Sequence, residues 1–332
     1  MADPSFDIER AAQILRAGGL VAFPTETVYG LGADASSARA VRKIFAAKGR
    51  PLDHPVIVHI RGAQDLSQWA SAVPAQARTL IEQFWPGPLT LVLKRAPGVI
   101  DAVTGGQDTV GLRAPSHPVA RQLLEAFADG IAAPSANRFG RISPTSAQHV
   151  REDLGDDVDL ILDAGSCEVG IESTIVDLSS GRPVLLRPGH IGIESIQSVL
   201  GEAVLRRSAE SPRASGTLAA HYAPQVRLRL APQSDLQRIV EEESRNGLTA
   251  VLARAQRPAG CAAAVWRTVP DDPDAFAQAL YAALRELDNA GCAVIIAEAL
   301  PPTPQWEAVR DRLGRAAAGS GTSAGDTADD AT

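Results

Sequence analysis

Leu20-Val21-Ala22-Phe23-Pro24-Thr25-Glu26-Thr27-Val28-Tyr29-Gly30-Leu31-Gly32 is the stretch whose reading decides the fold. Leu20 to Phe23 is a short apolar run that enters a proline, which reads as a buried strand. Before it, Ile8, Ala12 and Leu15 recur at helical spacing, and Gly18-Gly19 stops that helix. After it, Thr25 to Gly32 reads as a loop of hydroxyls and glycines. Ser36 or Ser37 then caps a second helix, with Val41, Ile44 and Phe45 as its apolar stripe and Gly49 and Pro51 at its end. Helix, strand, loop and helix in this order is the signature of an α/β layer structure.

The same alternation runs outward. Val56 to Ile60, Leu89 to Leu93, Val110 to Arg113, Gly130 to Ala133, Leu160 to Asp163, Ser173 to Leu178 and Val184 to Leu186 read as strands, with helical stretches between several of them. Close spacing in some places and crossover-length helices in others predict a mixed rather than a purely parallel sheet. Around Arg206 to Thr217 the pattern lapses into Ser, Ala, Pro, Arg and Gly, the composition of an interdomain linker. Val226 to Leu230, Asp235 to Glu243, Ala250 to Ala253, Ala275 to Asn289 and Ala293 to Ala297 then alternate strand and helix, predicting a small Rossmann-like domain with a parallel sheet. From Ala316 only Ala, Gly, Ser, Thr and Asp remain, which cannot bury apolar area, so a disordered tail is expected. The organisation read from sequence is a catalytic domain at 6–205, a linker at 206–225, a second domain at 226–315 and a tail at 316–332.

Composition bounds the function. A chain of 332 residues, 45% hydrophobic and 21% charged, suits a folded enzyme or binding protein of two domains. A net charge of −7 disfavours a protein whose main task is to grip a nucleic-acid backbone, which needs clustered Lys and Arg. Asp3, Asp7 and Glu9 near the start oppose a secretory signal, and no apolar run approaches the roughly 18–20 residues that span a membrane, so a cytoplasmic location is expected. Cys167, Cys261 and Cys292 are widely spaced and odd in number, and read as buried small hydrophobes rather than a disulfide framework or zinc site.

Neither a GxxxxGK[ST] phosphate loop nor a GxGxxG turn is present, and HExxH, GxSxG and the kinase motifs are absent too. Chemistry must come from polar loops at strand ends. Thr25 to Gly32 is one, equally readable as a capped turn. Lys48-Gly49-Arg50-Pro51 with His54 and His59 is a second, able to bind phosphates or to be a solvated helix end. Ala133-Pro134-Ser135-Ala136-Asn137 with Arg138, Arg141 and Ser143 is a third, and Glu172-Ser173-Thr174 with Arg187-Pro188-Gly189 a fourth. With Arg113 they bring cations and hydroxyls to strand ends without a nucleophile and base, which suits electrostatic stabilisation of phosphates.

PTETVYGLG, KGRP, FWPGPLT, GLRAPSHP, APSANRFGRISPT, STIVDL and LLRPG together resemble the YrdC-like threonylcarbamoyl-AMP synthase family over about residues 6 to 200. Ser215-Gly216 followed by His221-Tyr222-Ala223-Pro224 resembles the linker of that family's long, two-domain form, although Thr217 stands where the family usually has methionine. The resemblance implies a nucleotidyltransferase: L-threonine and bicarbonate give a carbamate that takes AMP from ATP and releases pyrophosphate. Partner proteins then move the threonylcarbamoyl group onto the adenosine beside a tRNA anticodon, so tight nucleic-acid binding is not expected.

By motif position the resemblance implies Thr27, His59, Arg113, Ala133 and Ser173 for L-threonine, with Arg113 on the carboxylate. It implies Arg50, His54, Thr109, Ser135, Asn137, Ser143, Arg187 and Tyr222 for ATP, with Lys48 over the phosphates and Lys48 and Arg50 as the catalytic cations. His54 stands where many relatives carry asparagine. The linker with His221 and Tyr222 is expected to fold over the nucleotide. No acidic cluster marks a protein-built metal site, so Mg2+ is expected to arrive with ATP. Two other readings are weaker. Carbamoyl transfer in hydrogenase maturation needs zinc-finger cysteine pairs that are absent, and an RNA-binding module sits badly with the negative charge.

Overall fold

The computed structural model describes residues 4–321. The chain forms two compact units, one reaching to Phe139 and including Pro144–Thr217, the other made of Gly140–Ser143 and the chain from Leu218 onward. The stretch read as one linker is thus divided at Thr217.

The first unit carries β1 (Val21–Phe23), β2 (Gly30–Asp34), β3 (Ile57–His59), β4 (Leu89–Lys94), β5 (Thr109–Arg113), β6 (Ile131–Ala132), β7 (Leu160–Ile161), β8 (Thr174–Asp177), β9 (Val184–Arg187) and β10 (Leu205–Arg206). They make one ten-stranded sheet in the order β10-β9-β8-β4-β5-β3-β6-β2-β1-β7. The β3·β5 and β4·β8 pairs are parallel, whereas β1·β2, β3·β6 and β4·β5 are antiparallel, so the sheet is mixed.

Successive strand residues point to opposite faces. Ala22, Val58, Leu91, Leu93, Leu112 and Ala132 enter one core, which the helix Ala38–Lys48 covers with Val41, Ile44 and Phe45. Full burial of a side chain of this size contributes roughly 1.5–3 kcal/mol. Ser37 caps that helix by accepting from Ala40 N, and Gly49, at φ 65°, closes it by donating to Ala46 and Phe45 carbonyls. On the opposite face Val21, Phe23 and Ile131 pack under the helices Pro4–Arg16 and Pro118–Phe127. Toward β4, β8 and β9 that same face holds only a small cluster of Ile57, Val92, Ile175, Val184 and Leu186.

β2 departs from expectation, and β10 lies in a stretch not read as strand. Gly30 and Gly32, read as loop, belong to β2 and pair with Phe23 and Val21. A Cβ at Gly32 would lie 2.8 Å from both the Phe23 ring and Ile131. The glycines permit this close approach, and their low strand propensity hid the strand.

The second unit has β11 (Arg227–Ala231), β12 (Thr249–Ala253), β13 (Val265–Thr268) and β14 (Val294–Glu298) in the order β11-β14-β12-β13, all parallel. Its core joins Ile239, Val240, Val251 and Ile296. Where the expected tail would start at Ala316, the helix Glu307–Gly319 continues instead, with Ala316 and Gly319 buried. Small residues allow it to pack closely: a Cβ on Gly319 would stand 3.1 Å from the Ala223 methyl. Residues 322–332 of that expected tail lie outside the described residues. No helix among the described residues is long and apolar enough to cross a membrane.

Candidate active site

The thinly covered face of the first unit collects the polar side chains. Alternation along β3 puts His59 on the same face as Ile57, and alternation along β5 puts Arg113 on the face of Thr109 and Gly111. The parallel register sets His59 directly beside Arg113. From β4 the same face receives Thr90. A shallow cleft runs along it, lined by Ile57, Thr90, Val92, Thr109, Gly111 and Ile175 and bordered by Arg213, Ala214 and Ser215.

One side of the face is built around Arg113. Its Nη1 donates to Thr27 Oγ1 at 2.9 Å and its Nε to the Gly87 carbonyl at 3.3 Å. Thr27 Oγ1 also meets Thr25 Oγ1 at 2.9 Å, and Thr25 folds its own loop by donating to the Val28 carbonyl at 2.6 Å. Glu26 Oε1 lies 2.8 Å from Arg113 Nη2, and both side chains are only 4% exposed. That contact joins opposite charges out of line: neither atom completes a hydrogen bond with any described residue. His59 stands close by with its ring edge-on to Phe23. Burial, and then the Arg113 charge, pushes the His59 pKa down to about 3, so the imidazole is neutral at physiological pH. Ala133 is fixed on the neighbouring strand end by its N–H to the Ile57 carbonyl at 2.9 Å.

Ser173 leads from this group to a second one. Its hydroxyl lies 2.8 Å from Thr90 Oγ1 and accepts from Arg187 Nη2 at 3.1 Å, while Arg187 Nε donates to its carbonyl at 3.0 Å. Arg187 reaches this position because Gly189 lets the turn after β9 press on β8, where a Cβ would come within 2.4 Å of Thr174 N. Arg187 Nη1 donates to the Ser215 carbonyl at 2.8 Å, and Arg50 Nη2 donates to the Pro55 carbonyl at 2.8 Å and to Ser215 Oγ at 3.4 Å. Two guanidiniums therefore converge on Ser215. Arg50 also lies over the rings of Phe45 and Phe139, and Phe139 meets His54 edge-on at 5.4 Å. Burial, followed by the Arg50 charge, lowers the His54 pKa.

The segment ending at Thr217 is tied down locally. Gln107 brackets the backbone of Arg213 by accepting from its N–H at 2.7 Å and donating to its carbonyl at 3.1 Å. Thr217, in place of the family's methionine, donates its hydroxyl to the Ala214 carbonyl at 2.8 Å, a bond methionine cannot make.

Lys48 departs from expectation. Its ammonium is buried and donates to the carbonyls of Ser135 and Asn137, both at 2.6 Å, and to Asn137 Oδ1 at 3.4 Å. Three acceptors use its three donors. Burial, and then the nearby Arg50 charge, holds its pKa well below the ordinary lysine value. Lys48 thus organises the loop that carries Ser135 and Asn137.

Ser143 and Tyr222 belong to the second unit. There Tyr222 holds a left-handed φ of 61°, costly for a bulky residue. Its ring is fixed by Arg312 at 5.3 Å, Tyr281 at 5.8 Å and His221 at 4.2 Å. All three cysteines are buried, and burial raises the Cys167 thiol to about 12, far from nucleophilic use.

Sequence reasoning missed three participants. Glu26 lies inside PTETVYG but was not separated from the loop, Thr90 is hidden in an apolar strand, and Ser215 sits in a low-complexity stretch. The period-2 alternation from Val92 is the one sequence signal that finds Thr90.

A family model described as "Telomere recombination", of the Sua5, YciO and YrdC proteins, matches residues 13–189. A second, described as "Threonylcarbamoyl-AMP synthase, C-terminal domain", matches residues 191–318. The chain is 41% identical to the threonylcarbamoyl-AMP synthase of Pyrococcus abyssi over 93% of each protein. It is 40% identical to that of Bacillus subtilis over 94% of this chain and 93% of the other. The crystal structure of P. abyssi Sua5 complexed with L-threonine superposes with a TM-score of 0.90 at 38% identity, covering 95% of both chains.

Proposed function

The chain belongs to the threonylcarbamoyl-AMP synthase family of Sua5, YciO and YrdC proteins, and from that premise we propose that it makes L-threonylcarbamoyl-AMP from L-threonine, bicarbonate and ATP. The product serves threonylcarbamoyl transfer to the adenosine beside a tRNA anticodon, carried out by partner proteins.

The observation that carries the proposal is the buried Arg113. Its guanidinium shares a face with Thr27, His59 and Ser173, as an amino-acid carboxylate and hydroxyl require. In the proposed reaction a carbamate oxygen attacks the α-phosphorus, the bond to the bridging oxygen of the β-phosphate breaks, and pyrophosphate leaves. Two anions must approach each other, a repulsion of about 1 kcal/mol at 4 Å in water and about 4 kcal/mol in a protein-like dielectric. Arg50 and Arg187, which meet at Ser215, supply the opposing charge, with Thr109 and His54 beside them. Positioning and fixed charge suffice for such a step without a nucleophilic side chain. Lys48 contributes by holding the loop of Ser135 and Asn137. The roles of Ser143 and Tyr222 toward ATP form part of the same proposal, tested by the ATP KM of Tyr222→Ala.

Among the described residues no group of three or more His, Cys, Asp or Glu is arranged to hold a metal ion. Mg2+ is proposed to enter on the ATP phosphates, which supply the oxygen ligands it favours.

The test is pyrophosphate release with each of L-threonine, bicarbonate and ATP omitted in turn. Release that needs all three and falls at least about 100-fold in Arg113→Ala, the scale of losing a hydrogen-bonded charge at about 1.4 kcal/mol per tenfold, is expected. Release indifferent to threonine would sink the proposal.

A further inference from the structure

We propose that Glu26 is a substrate-recognition residue of the same site: it takes the α-ammonium of the amino acid whose carboxylate Arg113 binds, so the pocket selects a zwitterion. This inference rests on the proposed threonine site and goes beyond it, since none of the residues assigned to threonine by resemblance provides a negative charge.

The geometry has three parts. Glu26 and Arg113 are each 4% exposed, so their charges face a ligand or each other and not bulk water. Glu26 Oε2 is anchored by the Ser116 N–H at 3.2 Å, and the Glu26 carbonyl accepts from Val169 N at 2.8 Å, so the carboxylate is held from its far oxygen and its backbone. Glu26 Oε1 and Arg113 Nη2 pair with each other as ions at 2.8 Å, and neither adds a hydrogen bond to any other described residue. One acceptor and one donor are thus left side by side. Covalent geometry puts the ammonium nitrogen and nearer carboxylate oxygen of an α-amino acid about 2.7 Å apart, the same spacing with the charges reversed. A zwitterion laid against the pair closes a ring of alternating charges and completes both orphaned atoms.

Charge balance gives the selectivity. Arg113 and Glu26 cancel, and the neutral His59 adds nothing. A zwitterion leaves the pocket neutral, whereas an acid lacking the ammonium brings a buried, uncompensated negative charge beside Glu26.

Calorimetric binding to the full-length protein tests this with L-threonine and with 3-hydroxybutyrate, which keeps the carboxylate and hydroxyl but has no ammonium. Wild type is expected to bind L-threonine at least 100-fold more tightly than 3-hydroxybutyrate. Glu26→Gln, nearly isosteric, is expected to weaken L-threonine 10- to 100-fold while 3-hydroxybutyrate binds as well as, or better than, in wild type, so the preference collapses. Equal loss of both ligands would mean that Glu26 merely holds Arg113, and unchanged L-threonine binding would remove any role; either overturns the proposal. Should Glu26→Gln not fold, the wild-type pair alone decides, because comparable affinity for both ligands is incompatible with ammonium recognition. L-threonine that fails to bind wild type at all would overturn the threonine site itself, whereas binding that Glu26→Gln leaves intact overturns only the role of Glu26.

Discussion

Each unit holds an arginine against a buried glutamate, and the two pairs are built differently. In the second unit Glu298, 1% exposed at the end of β14, accepts from Arg254 N at 2.8 Å, Nε at 3.1 Å and Nη2 at 2.5 Å. Arg254 also reaches Asp271 at 2.7 Å and lies over the Trp306 ring at 5.4 Å. That pair is closed. In the first unit Glu26 and Arg113 are equally near but misaligned, each with an orphaned atom. Such a contact keeps the charge attraction but forgoes the aligned hydrogen bonds that the closed pair makes. The difference separates a pair that holds structure from a pair that waits for a ligand.

Removing one partner of the closed pair should have the largest effect. Glu298→Ala is expected to lower stability by about 2–3 kcal/mol, because the Arg254 N–H loses its acceptor and its guanidinium keeps only Asp271. Urea unfolding measures it, and a loss under about 1 kcal/mol would erase the contrast. The double replacement Glu26→Met with Arg113→Met sharpens it from the other side. Exchange of a poorly aligned buried pair for apolar side chains is expected to leave stability unchanged or raise it by about 1–4 kcal/mol while L-threonine binding disappears. A strongly destabilised double variant would mean that this pair, too, is structural.

A smaller effect belongs to His59. It stays neutral in the fold down to about pH 3, whereas an unfolded imidazole takes a proton near pH 6.5. The unfolded state therefore binds more protons between those values, and stability falls as the pH drops through that window. His59→Gln should flatten the acid limb of the stability–pH curve by about one proton and leave it unchanged above pH 7. An equally steep acid limb would place the wild-type imidazole in contact with water. The smallest effect is expected from Thr217→Met, which forfeits one hydroxyl bond to Ala214 and should change stability by no more than about 1 kcal/mol in thermal unfolding.

Much of the fold was legible because apolar periodicity reports burial directly. Leu89 to Leu93 and Ala250 to Ala253 are strands as their composition predicts, and Ser37 and Gly49 close their helix where capping chemistry puts them. β2 escaped because its glycines serve the Phe23 ring opposite, and the helix Glu307–Gly319 was not read, its end being taken for tail, because small residues look featureless until their neighbours are known. The site was legible as residue types, while the job of each was not. Lys48 reads as a phosphate cation and is spent on carbonyls 87 and 89 positions away.

The sequence by itself determined the α/β class, the mixed and parallel sheets, the family and the set of polar motifs, since these depend on local propensity and on side-chain types. Only the tertiary structure decided that His59 stands beside Arg113, that Arg50 and Arg187 converge on Ser215, and that Glu26 faces Arg113. Those relations join residues far apart in the chain through strand register, and register follows from the packing of whole faces, which no local pattern contains.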